Sequence, residues 1–287
     1  MTIVEGDDPL RIEESTLAPP IVEAGPTPGI PQHEVIFQRH RTQLAMLTDP
    51  DKQRPEEAAA RVAEFVRQGG NFLLIGGSGE IENQLFQDTV HSVVEAAKGT
   101  PIIIFPGHLG QIPETANGIT GVLNYQDIFG AAGRTFSEVY PPRAQAYVTH
   151  TLNERNILSI PTLYVLCGDE NTTVIHVTGI KPINTNDPVE HERVLTRVDE
   201  WLQKGIGCIF FDAGSHASSS PSLDLIREAR AHIDRLSPGT ILIVGGGIST
   251  PDIASEYKNV AHGLSVGTHF ENHGAGDTAK FVAALQY

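Results

Sequence analysis

Eight short apolar segments recur along the chain, and stretches with helical periodicity separate most of them. The segments are residues 43–47, 72–75, 102–105, 119–123, 162–166, 208–211, 241–244 and 264–266. Between the first two, Pro55–Arg67 places alanines and valines on one helical face. Strands that alternate with helices predict a parallel sheet, and eight repeats predict that this sheet closes. The expected fold is therefore an α/β (β/α)8 TIM barrel.

Two intervals depart from this alternation. Residues 106–118 contain a Pro-Gly-His-Leu-Gly run and a turn, which leaves too little length for a full helix. We therefore expect the barrel to lack a full third outer helix. Residues 172–178 alternate polar and apolar side chains around Val174-Ile-His-Val177. This pattern predicts an extra strand, in a small hairpin after the fifth barrel strand.

The first 33 residues differ in composition from the rest. They hold six prolines and six acidic residues but one basic residue, Arg11. Such a segment buries too little apolar surface to order itself, so it is predicted to be a flexible, acidic, proline-rich arm. It lacks the basic and apolar regions of a signal peptide. Residues 34–287 then form the barrel domain, which matches the usual size of about 250 residues.

Charge and cysteine content restrict the function and the compartment. The formal net charge is −15, which argues against a nucleic-acid partner or an anionic membrane surface. Cys167 and Cys208 lie in apolar runs, as expected of reduced core residues in a cytoplasmic protein. No apolar run approaches about 18 residues, so no membrane span is expected.

The last two predicted strands both end in glycine. The first runs into Gly245-Gly-Gly247 and a helix start, where Thr250 can cap and Pro251 suits the first turn. The second runs into Gly267-Thr268. Glycines at such positions let backbone N–H groups approach an anion closely. These residues, with Ser215 of a neighbouring loop, predict a phosphate-binding cup.

Acidic residues follow the first and sixth strands. Asp49 and Asp51 beside Lys52 are hard oxygen donors suited to Mg²⁺ on a diphosphate, and Ser78 could add a hydroxyl. The alternative is that Asp49-Pro50-Asp51 only forms a turn before the helix. Asp212 emerges from a buried strand and could accept a proton. The alternative here is a structural acid that accepts hydrogen bonds from the Gly214–Ser215 turn.

Several histidines fall near the expected mouth of the barrel. They are His108, His150 and His216. No spacing of histidine, cysteine and acidic residues resembles a zinc site. We therefore interpret these side chains as polar lining of the mouth and not as metal ligands.

Together the residues at the strand ends resemble those of the geranylgeranylglyceryl phosphate synthase family of barrel prenyltransferases. The matching motifs are Leu47-Thr-Asp-Pro-Asp-Lys52, Ile75-Gly-Gly-Ser78, Phe105-Pro-Gly107, Val122-Leu-Asn124, Tyr164-Val-Leu166, Ile209-Phe-Phe-Asp-Ala-Gly-Ser215, Val244-Gly-Gly-Gly-Ile248 and Val266-Gly-Thr268. The resemblance implies a barrel without its third outer helix. It also implies Mg²⁺, a prenyl diphosphate, a phosphorylated glycerol-type acceptor and a homodimer.

The resemblance also implies roles for individual residues. Asp49, with Ser78 nearby, would hold Mg²⁺ against the diphosphate, beside Asp51. Gly245, Gly246, Gly247, Gly267 and Thr268 would hold the acceptor phosphate. Asp212 falls where the family has a glutamate that contacts the acceptor hydroxyls. The prenyl chain would leave through the gap of the missing helix, along Phe105, Ile112, Ile119 and Val122.

Three residues depart from the family pattern. Leu47 replaces a basic residue, Phe210 replaces a tyrosine, and Asp212 replaces the glutamate. These changes favour an acceptor other than glycerol 1-phosphate. They resemble the branch that serves moenomycin-type phosphoglycolipid antibiotic biosynthesis, which joins farnesyl diphosphate to the 2-hydroxyl of 3-phosphoglycerate. Candidates to bind the acceptor carboxylate are Arg143, His108, His150 and Lys181.

Three alternatives remain open from the sequence. The chain could be a geranylgeranylglyceryl or heptaprenylglyceryl phosphate synthase that uses glycerol 1-phosphate. It could be a phosphate-binding barrel isomerase, which predicts neither a prenyl groove nor a need for Mg²⁺. It could also be a catalytically idle barrel that serves as a binding subunit, although such a barrel has no need of Asp49, Ser78 and Asp212 at three separate strand ends.

Overall fold

A computed structural model describes residues 41–77, 79, 81–168 and 172–286. The predicted N-terminal arm and Ser78 lie outside the described residues. The arm therefore remains a prediction, and so does the proposed contribution of Ser78 to a metal site.

Eight parallel strands close into a barrel, as predicted. They are β1 (Gln43–Thr48), β2 (Phe72–Ile75), β3 (Ile102–Ile104), β4 (Gly121–Phe129), β6 (Ser159–Leu166), β8 (Cys208–Asp212), β9 (Ile241–Gly245) and β10 (Gly263–Val266). Around the barrel their order is β1-β10-β9-β8-β6-β4-β3-β2, with β2 pairing back to β1. All eight predicted segments correspond to these strands. The largest difference is β4, which continues six residues beyond the predicted end at residue 123.

Helices follow most strands and cover the outside of the barrel. They are α1 (Pro55–Arg67), α2 (Asn83–Ala97), α3 (Phe136–Val139), α4 (Pro142–Glu154), α5 (Thr173–Thr178), α6 (Pro188–Gln203), α7 (Leu223–Leu236), α8 (Pro251–Glu256), α9 (Thr268–His273) and α10 (Thr278–Gln286). Asp187 caps the start of helix α6, because its Oδ1 accepts a hydrogen bond from the Val189 N–H at 2.9 Å. Among the described residues, no helix is both long and apolar enough to cross a bilayer.

The core forms two layers because side chains alternate along each strand. On β2, Phe72 and Leu74 belong to an inner core that fills the barrel. Leu73 and Ile75 point the other way, into an outer core between strands and helices. Both cysteines are free and buried, as predicted, with Cys208 in the inner core and Cys167 in the outer core.

The interval between β3 and β4 holds only a 3₁₀ turn, Leu109–Gln111, among its described residues. The prediction of a missing third helix is therefore confirmed. Gln111 is fully buried, and its amide forms hydrogen bonds to the backbone of the neighbouring loops. The side-chain oxygen accepts from the Gly77 and Gly107 N–H groups, at 3.3 and 2.8 Å. Its nitrogen donates to the carbonyls of Gly77 and Gly79, which fixes the loop after β2.

The predicted strand over residues 172–178 is wrong, because this segment forms helix α5. Val174 and Ile175 both pack against the inner core, which adjacent residues of a strand cannot do, since they point to opposite faces. Thr178 donates to the Val174 carbonyl at 2.7 Å, and Gly179 ends the helix at φ +69°. The extra pairing lies nearby instead, between β5 (Ala132–Gly133) and β7 (Ile180–Lys181).

Candidate active site

A cavity of about 460 Å³ opens at the carboxyl ends of the strands, where barrel enzymes hold their active sites. The predicted site residues that line it are Asp49, Asp51, Phe105, Asp212, Ser215, Gly246, Gly247, Gly267 and Thr268. The fold thus brings the acids after β1 and β8 and the glycines after β9 and β10 into one space. Gly245 ends β9, directly below the wall that Gly246 and Gly247 form.

Asp49 and Lys52 form the acidic corner of this cavity, together with Asp51. Asp49 is buried, and its Oδ2 lies 3.2 Å from Lys52 Nζ. Burial is the main cause that raises the pKa of Asp49 to about 7, and a hydrogen bond with Asp51 raises it further. The positive charge of Lys52 acts in the opposite direction but does not offset these effects. Asp49 therefore holds a proton more readily than an exposed aspartate does.

The loop after β2 lies directly against both carboxylates. A Cβ atom on Gly77 would stand 2.3 Å from Asp49 Oδ1, and one on Gly79 would stand 2.2 Å from Asp51 Oδ2. Only glycine allows this approach. The described residues include no cluster of three or more metal-binding side chains. Mg²⁺, however, commonly takes one or two carboxylates and completes its shell with substrate phosphates and water, and the Asp49–Asp51 corner suits that arrangement.

Asp212 is half-buried and faces the cavity from the end of β8. Its Oδ1 accepts a hydrogen bond from the Gly214 N–H at 2.9 Å, and its Oδ2 accepts one from the Tyr164 hydroxyl at 2.6 Å. Burial raises the pKa of Asp212, while these two donors lower it. The bond expected of a structural acid is therefore present. The same two bonds also fix the carboxylate at the cavity wall, where it can meet a substrate hydroxyl.

Tyr164 contacts Asp212 directly, a contact that the sequence did not predict, because there this residue stood out only as part of the Tyr164-Val-Leu166 motif. It lies on β6, paired in register with Phe210 of β8. The two rings stand 5.7 Å apart in an aromatic group with Phe105 and Tyr125 that forms the barrel interior below Asp212. Tyr164 thus supplies to Asp212 a hydroxyl that Phe210 lacks. The register of two strands distant in sequence creates this pair, so the sequence carried no local signal for it.

The glycines after β9 have the conformation expected of an anion-binding cup. Gly246 and Gly247 adopt φ of +76° and +68°, which side chains disfavour. A Cβ atom on Gly247 would stand 2.4 Å from the Ser219 backbone, and one on Gly246 would stand 2.6 Å from the Gly214 nitrogen. Helix α8 then starts as predicted, since Thr250 Oγ1 accepts from the Ile253 N–H.

Replacing Gly247 with alanine tests this wall. A left-handed alanine costs about 1–2 kcal/mol, and the backbone contact with Ser219 must also shift. We expect a lower melting temperature and phosphate affinity at least about tenfold weaker, which corresponds to about 1.4 kcal/mol. Gly205 to alanine is the matched control, because its φ is also left-handed, at +77°, and nothing lies within 4 Å of its Cβ position. Equal phosphate binding by both variants would contradict the assignment of the cup.

The four residues chosen for the prenyl groove do not share a surface. Phe105 lines the cavity. Val122 is fully buried in the outer core, because Leu123 occupies the inward position of β4. Ile112 is buried there as well, and Ile119 packs against the same cluster. A groove along these three would require the outer core to open, so Phe105 is the one of the four that a substrate can reach.

None of the candidates for the acceptor carboxylate lines the cavity among the described residues. His150 pairs with Glu154 on the outer helix α4, where Arg143 is also exposed. Lys181 is exposed in β7. His108 lies between the N–H groups of Gly110 and Ile81, which stand 3.0 Å from its Nδ1 and 3.2 Å from its Nε2, and its ring accepts from one of them. His150 and His108 are thus engaged within the fold, and Arg143 and Lys181 are exposed outside the cavity.

Helix α9 instead contributes polar side chains that the sequence did not indicate. His269, Asn272 and His273 line the cavity, as does His216 on the opposite loop. Lys52 Nζ donates to both carboxylate oxygens of Glu271, at 3.3 and 3.4 Å. This ion pair ties the loop after β1 to the helix after β10. Because 219 residues separate its members, only the closure of the barrel reveals it.

Fold and cavity define the class: a (β/α)8 barrel with an acid- and glycine-walled site at the carboxyl ends of its strands. A model described as the PcrB family matches residues 33–285. The chain belongs to this family.

Curated relatives and solved structures agree with this assignment. A geranylgeranylglyceryl phosphate synthase of Pyrococcus abyssi is 29% identical over 239 residues, which cover 82% of this chain and 86% of the relative. The enzyme of the same name from Thermoplasma volcanium is 28% identical, with 72% and 75% covered. A Thermoplasma acidophilum (S)-3-O-geranylgeranylglyceryl phosphate synthase structure, in complex with sn-glycerol-1-phosphate, superposes with a TM-score of 0.74 at 23% identity. The superposition covers 86% of this chain and 94% of that one.

Proposed function

We propose that this chain is a prenyltransferase that joins an allylic prenyl diphosphate to a hydroxyl of a phosphorylated three-carbon acceptor. The observation that carries the proposal is the convergence of the Asp49 corner, Asp212 and the glycine cup on one cavity. A diphosphate needs the first, a reacting hydroxyl needs the second, and a phosphate ester fits the third. The names of the relatives support the same chemistry.

The residues of the cavity suggest how the reaction proceeds. Backbone N–H groups at Gly246, Gly247 and Gly267 bind the acceptor phosphate and orient its hydroxyl toward the prenyl C1 carbon. The C–O bond to the diphosphate breaks, an ether bond forms to the acceptor oxygen, and Asp212 takes the hydroxyl proton. The apolar surface of Phe105 and Leu47 limits access of water to the allylic cation.

Mg²⁺ is part of this proposal. Asp49 and Asp51 would hold it, with Ser78 as a further candidate from outside the described residues. When bound, it would neutralise charge on the departing diphosphate. Lys52, 3.2 Å from Asp49, would hold that carboxylate in place beside the same leaving group.

Two acceptors remain in question, glycerol 1-phosphate and 3-phosphoglycerate. The relatives favour glycerol 1-phosphate, since the T. acidophilum structure is described with it as substrate. Tyr164 points the same way, because its hydroxyl reaches Asp212 and offsets the loss at Phe210. Leu47 favours the second candidate, farnesyl transfer to 3-phosphoglycerate in moenomycin-type biosynthesis, because the cavity lining has an apolar side chain where the resemblance expects a cation.

A paired assay tests the activity and the acceptor together. Labelled geranylgeranyl or farnesyl diphosphate is offered with Mg²⁺ and either acceptor, and ether products are separated after phosphatase treatment. We expect an ether with glycerol 1-phosphate that depends on Mg²⁺. A product with 3-phosphoglycerate alone would instead support the reading from Leu47. No ether from any combination would contradict the proposed function and favour a phosphate-binding isomerase or an idle barrel.

The assembly and location follow as further parts of the proposal. The resemblance implies a homodimer with an amphiphilic product. The two reduced cysteines favour the cytoplasm, and the net charge of −15 argues against a nucleic-acid partner. Light scattering coupled to size-exclusion chromatography measures the oligomeric state directly. A mass near twice 31.0 kDa is the expected result.

A further inference from the structure

The charge of the cavity walls is unfavourable for an anionic ligand, and the glycine cup does not change it. The described walls include three carboxylates, Asp49, Asp51 and Asp212, and one lysine. Lys52 already contacts Asp49 and Glu271, at 3.2 and 3.3 Å. Backbone N–H groups bind phosphate oxygens but add no net charge. Mg²⁺ at the Asp49 corner would neutralise the diphosphate, so with neutral histidines an incoming acceptor phosphate dianion would meet no cation other than Lys52 on the described walls, which is unfavourable in a partly buried site.

Three histidine side chains, His216, His269 and His273, line this cavity, and the last two are stacked on each other. The rings of His269 and His273 stack one helical turn apart, with centroids 4.9 Å apart and planes 7° from parallel. Asp277 contacts His269 Nε2 at 3.0 and 3.1 Å. This contact fixes the orientation of the His269 ring. The His269 side chain is only 11% exposed, and Phe281 packs against it at 4.9 Å.

The third imidazole, His216, lines the same cavity from the loop after β8. His216 adopts a left-handed φ of +62°, and its N–H donates to Thr268 Oγ1 at 3.4 Å. This contact holds the loop against the cup residue that precedes His269. The charged and titratable groups around the pair are thus Asp277, His216, and the Lys52–Glu271 ion pair. Histidine is the side chain among these that gains a charge near neutral pH.

We propose that His269 and His273 are the cationic part of the phosphate site, and that they take up a proton when a phosphate ester enters the cup. The pair would supply the charge that Lys52 cannot, because Lys52 is engaged by two carboxylates. The ligand class is a phosphate monoester or inorganic phosphate. The inference deepens the proposed function and rests on it only in assigning such a ligand to the cup.

Calorimetry on the full chain tests this without turnover. Glycerol 1-phosphate and inorganic phosphate are titrated at pH 7 in two buffers of different ionisation heat, which counts the protons taken up. The wild type is compared with His273→Asn and Asp277→Asn, and with His150→Asn as control. His150 is likewise a helix histidine with a nearby carboxylate, Glu154 at 3.2 Å, but it does not line the cavity. The ligand's own ionisation cancels in each difference.

We expect His273→Asn to lose most of the excess proton uptake and to bind phosphate about tenfold more weakly, as for a charge-assisted hydrogen bond. His273 is exposed, so the variant should fold. Asp277→Asn keeps both rings and should lower proton uptake with a smaller loss of affinity. Uptake and affinity equal to wild type in both variants would overturn the inference, as would the same losses in His150→Asn.

The outcomes for the two proposals are separable. Proton-linked phosphate binding without any ether product would leave the histidine site in place and contradict the proposed function. Ether formation with unchanged phosphate binding in the histidine variants would support the proposed function and overturn the histidine site. Absence of phosphate binding by the wild type would overturn both.

Discussion

Asp212→Asn is expected to lower turnover by about 10²–10⁴-fold, the range typical of a lost general base. The asparagine oxygen can still accept one hydrogen bond, from Gly214 or Tyr164, but the amide cannot take a proton. Binding of the acceptor phosphate should stay within about twofold of wild type, because Asp212 does not form the cup. Single-turnover rates and phosphate affinities, measured on the same samples, check both parts.

Tyr164→Phe is the matched comparison for this variant. It removes the donor 2.6 Å from Asp212 Oδ2 and leaves the carboxylate in place. Without that donor the pKa of Asp212 rises further, because the Tyr164 hydrogen bond lowers it at present. The acidic limb of the rate profile should therefore move to higher pH, with a smaller loss at alkaline pH than in Asp212→Asn. Full turnover by Asp212→Asn would rule out its role as the base.

Asp49→Asn is expected to be the second severe change. It removes the carboxylate assigned to Mg²⁺ and the partner of Lys52 at 3.2 Å. Turnover should fall by about 10²-fold or more, comparable to the loss of a group that stabilises transition-state charge, and higher Mg²⁺ should restore part of it. Asp51→Asn, at an exposed side chain of the same corner, should cost less. Unchanged Mg²⁺ dependence in Asp49→Asn would contradict the metal site.

Asp49→Asn should lower activity without lowering stability. The pKa of Asp49 is raised from 3.8 to about 7 by folding. A raised carboxyl pKa means that the folded state binds the proton more tightly than the unfolded state does. The contribution of Asp49 to stability is thus fully present below about pH 4 and is lost as pH rises through 7. Asp49→Asn should therefore unfold at an equal or higher temperature than wild type at pH 8, measured without Mg²⁺ by calorimetry.

The sequence located most of the fold because its signals are local. Strand β2 and helix α1 have the predicted bounds, since an apolar run of four residues and a helical apolar face are each readable within their own segment. The segment around Val174 was misread for a related reason. Its polar–apolar alternation fits a strand. The segment is a helix because Val174 and Ile175 both contact the inner core and Gly179 ends the helix.

The chemistry of the strand ends was also legible, because a barrel places every carboxyl end at one face. Asp49, Asp212 and the glycines after β9 and β10 meet in one cavity for that reason. The predicted prenyl groove did not follow in the same way. A groove depends on which side of a strand each residue faces, and the position of Val122 in the outer core was set by the register of β4.

By itself, then, the sequence determined the barrel, its missing third helix, and the acids and glycines that face its mouth. Each of these depends on residues close together in the chain. The tertiary structure alone decided the Tyr164–Asp212 hydrogen bond, the Lys52–Glu271 ion pair and the closeness of His216 to α9. Their members are separated by 48, 219 and 52 residues, and they meet only because eight strands in one register close upon each other.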